Sequence, residues 1–115
     1  MSDYPGVNEK DWKLFRARIA DWQEAYMDRL NHEYMEILSG EGPASEKFWK
    51  LERRIRTDVK DNGVQAQLKR SSMKLILMNL LAEGAITADD LDGFSDELRE
   101  WLFPYIKYLE NTKEN

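Results

Sequence analysis

The chain has 115 residues, 42% hydrophobic and 34% charged, with a formal net charge of −5 and no cysteine; that length fits one domain able to bury a core, and the composition excludes a disordered chain. Without cysteine there is no disulfide frame, thiolate nucleophile or cysteine zinc site. The start, MSDYPGVNEKDW, lacks the basic-then-apolar order of a secretory leader, and the richest apolar run, Met73 to Ala82, is broken by Lys74 and Asn79 and is about half of what a bilayer requires, so a cytoplasmic protein without membrane contact is expected.

Residues 1–7 read as a flexible lead-in. Asn8 followed by Asp11 then resembles a helix start, with a side chain that can accept from early backbone N–H groups and an acid near the positive helix end. From there Trp12, Phe15, Ile19, Trp22, Tyr26, Leu30, Tyr34 and Ile37 recur every three or four residues. At ~100° per residue they fill an arc of about 120°, the mark of one buried helix face. Such a helix is about 45 Å long and cannot stand alone in water. Gly40, Gly42 and Pro43 end it.

A second helix is expected from Ser45, with Phe48, Leu51, Ile55 and Val59 as its core stripe and Asp61-Asn62-Gly63 as its end, Gly63 supplying a left-handed closing residue. The spacing predicts a third helix over 64–83, apolar on every side in its second half and therefore central. Gly84 closes it, Ile86 can tuck into the core, and Thr87 with Asp90 forms a capping box for a short helix through Leu91. Ser95 and Asp96 start a last helix, in which Pro104 predicts a kink or a restart. Trp101, Leu102, Phe103, Tyr105, Ile106, Tyr108 and Leu109 are too apolar to stay wholly exposed, so they either complete the bundle, the reading expected here, or form a homodimer face, with 110–115 frayed. No β alternation or repeat appears. The class is all-α: a single domain over 1–115, a bundle of four to five helices with a long aromatic-rich first helix and a central apolar third one.

The strings DWKLFRARIADWQEAYMDRLNHEYMEIL, SEKFWKLERRIRTD, RSSMKLILMNLLAEGAITADDL and FSDELREWL resemble a group of short, uncharacterised helical proteins from anaerobic gut Firmicutes, often carried near mobile genetic elements. The resemblance covers about residues 11–100. It brings no catalytic or binding residues across, because that group has no established activity; it implies only carriage by a mobile element, and the regulator or inhibitor role expected of the chain is not part of that resemblance. A multidrug-transporter label attached to some of the group needs spanning helices, which this sequence does not supply.

Few residue sets suggest chemistry. Asp28, His32 and Glu36 stand at i, i+4 and i+8, a spacing that can bind zinc or iron. His32 is the single histidine, and Arg29 occupies the place where a Glu-x-x-His motif needs its acid, so a solvated face is the expected reading. Asp89, Asp90, Asp92 and Gly93 suggest a calcium loop, but its closing Glu falls on Arg99. No metal or cofactor is therefore expected. With no phosphate-cradling glycine loop either, the chain reads as non-enzymatic.

The second helix is the exception. Residues 1–40 carry five basic and eight acidic side chains, 41–70 eight and five, and 71–115 four and nine, so a +3 segment lies between flanks of −3 and −5. Trp49 falls about 100° from the apolar stripe, among Arg53, Arg56 and Lys60, with Lys50 and Arg54 extending the positive surface. Either Trp49 packs on a neighbouring helix and the basic residues pair with acids of Asp89 to Glu100, or Trp49, Lys50, Arg53, Arg54, Arg56 and Lys60 form a partner-binding face. The expected function is protein–protein interaction by a monomer or small homo-oligomer. The alternative is nucleic-acid binding by the same residues, against which the overall acidity stands.

Overall fold

The computed structural model describes residues 7–114, with side chains to Thr112. Four α-helices follow in order, α1 Glu9–Ser39, α2 Ala44–Asp58, α3 Met73–Glu83 and α4 Asp96–Glu114, with 3-10 turns at Arg70–Ser72 and Ala88–Leu91. No strand occurs among the described residues. Residues 1–6 and 115, parts of the expected flexible lead-in and frayed end, lie outside the described residues; Val7 packs against the core, and α4 runs to Glu114.

The helix ends follow local chemistry. Asn8 Oδ1 accepts from the backbone N–H groups of Lys10 (2.8 Å) and Asp11 (3.3 Å). Gly84 ends α3 at φ 76°, where a side chain would be strained. Thr87 and Asp90 form the reciprocal capping box, and Ser95 Oγ accepts from Leu98 N–H at the start of α4.

α1 serves two packing units. Its first half sets Trp12, Phe15 and Ile19 against Met73, Ile76, Leu77 and Leu80 of α3, Ile86, Leu91 and Phe94 of the connection, and Leu98 and Leu102 of α4. This is the body. Its second half pairs with α2 through the short connection 40–43 as an antiparallel hairpin. The molecule is consequently long, 58 × 32 × 18 Å, with a radius of gyration of 16.9 Å, where a compact chain of this length has about 13 Å.

Several expectations change. The third helix starts at Met73, because 64–69 is not helical. Gly63 lies on the Tyr26 ring, and Arg70 pairs with Glu9 at 2.8 Å. Those two partners are seventeen residues apart on α1, about 25 Å. Seven helical residues would cover ~10 Å and seven extended ones ~23 Å, so only extended chain bridges the gap. Gly63 itself is not left-handed. It is required because a Cβ there would fall 2.3 Å from Tyr26 Cδ2.

α3 is enclosed on most sides, yet Leu75 is 59% exposed. Helix α4 passes through Pro104 without a restart; Pro104 and the residue four before it, Glu100, face solvent, where water can satisfy the carbonyl that loses its donor. The tail divides rather than completing the bundle whole. Leu102 is enclosed and Tyr105, Ile106 and Leu109 pack on the core, whereas Trp101, Phe103 and Tyr108 face outward. Lys74 Nζ stands 4.7 Å from the Trp101 ring centre.

Candidate functional site

The hairpin seam is polar. Tyr34 donates to Asp58 Oδ2 (2.7 Å), Arg54 reaches Asp58 (3.3 Å) and Glu33 (2.6 Å), and Lys47 donates to the Gly40 carbonyl (3.1 Å). At the base Tyr26 donates to Asp61 Oδ2 (2.6 Å) and Gln23 to the Asn62 carbonyl (2.9 Å). Glu83 of α3 accepts from the backbone N–H of Asn62 (2.8 Å) and of Gly63 (2.9 Å), tying the hairpin base to the body. Burial pushes the Glu83 carboxyl up, and those two donors oppose the shift. Burial, reinforced by Asp58, pushes the Tyr34 phenol up to about 12; burial and Asp61 raise Tyr26 further.

Because Lys47, Arg54 and Asp58 make the seam, the stripe expected to be core is not, and of its four members Leu51 alone is half-buried. Phe48 is 61% exposed, and Ile55 and Val59 also face solvent. α2 sits beside the body rather than on it, so nothing in the described chain covers that face. Phe48, Leu51 and Ile55, with Glu52 and Arg56, line a shallow apolar groove.

Trp49 does not pack on a neighbouring helix. It is 55% exposed and stands edge-to-face with Phe48, with ring centres 5.0 Å apart and planes at 79°. Lys50 and Arg53 flank it, with Ser45 and Glu46, around a second depression. The six candidate residues are thus not one surface. Trp49, Lys50 and Arg53 are brought together, Arg54 is turned into the seam, Arg56 is forked onto Glu52 with Nε at 3.0 Å, and Lys60 lies just past the end of α2. Among the described residues no carboxylate lies within ion-pair distance of Lys50, Arg53 or Lys60, and no basic residue of α2 pairs with the acids of 89–100.

The other candidate sets resolve into structural roles. His32 Nδ1 lies 2.8 Å from the carbonyl of Asp28, on an exposed turn. In the acidic loop the Arg18 guanidinium donates to the carbonyls of Asp90 (3.1 Å) and Asp92 (2.6 Å). Among the described residues no group of three or more His, Asp or Glu side chains is arranged to hold an ion.

Three contributors were not evident from the sequence. Asp11 reads there as a helix-start charge, but it is buried and accepts from Ser95 N (2.8 Å) and Ser95 Oγ (2.6 Å), joining the starts of α1 and α4. Met35 and Leu38 of α1, both exposed, belong with the uncovered part of the hairpin. A second stripe parallel to the apolar one, Lys47, Arg54 and Asp58, is the signal that could have found the polar seam, since Tyr34 needs an acceptor once it is buried.

No helix among the described residues is long and apolar enough to cross a membrane. No protein-family model, curated protein or solved structure matches the chain.

Proposed function

We propose that this chain is a non-enzymatic interaction protein whose hairpin presents Trp49, Lys50 and Arg53 to a protein partner. The observation that carries this reading is the place of Trp49: a large aromatic, more than half exposed, on the edge of α2 that faces away from α1. Tryptophan and arginine are the side chains that most often dominate interface energies, and Lys50 and Arg53, without acids of their own, suit an acidic partner surface. A regulatory or inhibitory role would be exercised there by occupying the partner rather than by chemistry.

Tagged wild-type chain and its Trp49→Ala and Arg53→Glu variants, compared for the proteins they retain, test the reading. A partner held by the wild type and lost by both variants at unchanged melting temperature supports it; a partner retained by both rejects it. The nucleic-acid alternative keeps fewer cations than the sequence offered, since Arg54 and Arg56 are already paired. Fluorescent single- and double-stranded oligonucleotides decide it: binding that falls steeply with salt revives that alternative, and no binding at low salt retires it.

A further inference from the structure

Arg29, midway along α1, is held by three contacts. Its Nη1 donates to the Gly84 carbonyl (2.9 Å), its Nη2 to the Glu83 carbonyl (3.3 Å), and its guanidinium lies 4.9 Å from the centre of the Tyr26 ring. These partners orient the group without neutralising it. Carbonyl oxygens at a helix end carry only partial charge, and the two bonds leave three of the five N–H donors unused. Among the described residues no carboxylate lies within ion-pair distance of Arg29. Glu83, whose carbonyl it meets, turns its carboxylate to the N–H groups of Asn62 and Gly63 instead.

Beside this guanidinium lies a cavity of about 290 Å³ between the end of α3, the 84–88 connection and the second half of α4. Leu81 and Ile86, both buried, and Ile106 and Leu109, which pack on the core, make its lining apolar. Arg29 is the one cation among the described residues that line it. The one acid there, Glu110, stands 3.5 Å from Lys107 and so has a counter-ion of its own. We propose that the cavity binds a small aliphatic monocarboxylate, its carboxylate on Arg29 and its chain against Leu81, Ile86, Ile106 and Leu109. Charge and shape select this class. A guanidinium offers paired N–H donors that match the two oxygens of a carboxylate. One cation balances one negative charge, whereas a phosphate dianion would find no second cation in the lining and Glu110 at its edge. A neutral chain would gain the apolar contact alone. The volume, at the lower end for small-molecule sites, suits a ligand of about ten non-hydrogen atoms. The cavity shares no residue with the depression around Trp49, so the inference does not rest on the partner surface.

Titration of isotope-labelled chain with sodium octanoate, followed by two-dimensional NMR, tests it. Octanoate should shift the amide signals of Gly84, Ile86, Ala88, Ile106 and Glu110 and saturate with a Kd of about 0.1–1 mM, the affinity of a ligand of this size. Octan-1-ol, the same chain without the charge, should bind at least about tenfold more weakly, and octylamine should produce no saturable shift. Arg29→Met should weaken octanoate at least about tenfold, to the level of octan-1-ol. Because Arg29 also caps the end of α3, a second variant leaves it in place: Ala88→Phe, at an exposed position on the rim, should fill the mouth and abolish the shifts at an unchanged melting temperature. Trp49→Ala should bind octanoate as the wild type does. A wild type without saturable shifts up to about 5 mM octanoate overturns the proposal. Octan-1-ol bound as tightly as octanoate, full affinity in folded Arg29→Met or Ala88→Phe, or shifts confined to the hairpin would overturn it equally.

Discussion

The body and the hairpin share one long helix and the same kinds of residue, yet opposite means hold them. In the body Phe15, Leu77, Leu80 and Leu102 are fully enclosed, and polar contacts such as Asp11 with Ser95 and Arg18 with the Asp90 carbonyl pin its edges. In the hairpin the arrangement is reversed: Tyr34, Asp58, Arg54 and Glu33 make the seam, and Phe48, Ile55 and Val59 face water. An apolar stripe at helical spacing thus states that a face needs cover. It does not state that the same chain supplies it.

The sharpest way to break this comparison is to remove equal volumes from the two regions. Leu77→Ala should cost about 2–5 kcal/mol, since the site is closed on all sides and a cavity remains. Ile55→Ala, on the open face, should cost less than about 1 kcal/mol at concentrations where the chain is monomeric. Urea unfolding measures both, and comparable losses would place α2 in the core after all.

The joint between the two regions comes next. Gly63→Ala drives a methyl group into the Tyr26 ring, which is held by its bond to Asp61, so a loss of about 1–3 kcal/mol is expected. Against a Tyr26→Ala background the same change should cost at least about 1 kcal/mol less, as residues in contact do. Equal costs in both backgrounds would show that the packing at the hairpin base is not what demands glycine.

How much of this was legible in the sequence follows the same division. The caps at Asn8, Gly84, Thr87 with Asp90, and Ser95 depend on near neighbours, so local spacing reveals them. The segment 64–69 is not legible that way, because its extended form is set by the distance between Gly63 on Tyr26 and Arg70 on Glu9, a tertiary demand that overrides helical spacing. The direction in which α2 turns its stripe is likewise decided by Tyr34 and Asp58, twenty-four residues apart. For the candidate site, wheel geometry places Trp49, Lys50 and Arg53 together, but it cannot foresee that Glu33 draws Arg54 inward or that Glu52 holds Arg56.

Alkaline pH separates the regions more gently. Tyr34, raised from an ordinary value of 10.0 to about 12, and Tyr26, raised further, both donate to carboxylates in the hairpin. A phenol whose folded pKa exceeds its unfolded value contributes stability that is complete below the unfolded pKa and lost as pH rises through the folded one. Stability should therefore fall from about pH 10 toward pH 12. The excess stability of the wild type over a Tyr26→Phe, Tyr34→Phe variant should be level between about pH 7 and 9 and then shrink. A gap that stays constant to pH 12 would mean that these phenols do not hold the seam.

The smallest effect is the most diagnostic. Trp49 is more than half exposed, so Trp49→Ala removes little that the folded monomer uses, and its unfolding free energy should change by no more than about 0.5 kcal/mol. A core tryptophan would cost about 3–5 kcal/mol for the same truncation. The two values differ enough for a single pair of urea curves to separate them, provided they are recorded on monomer. A small change fits an aromatic kept on the surface for an interaction. A large one would mean that α2 finds cover for Trp49 within the chain, and the partner surface would then be reduced to its two cations.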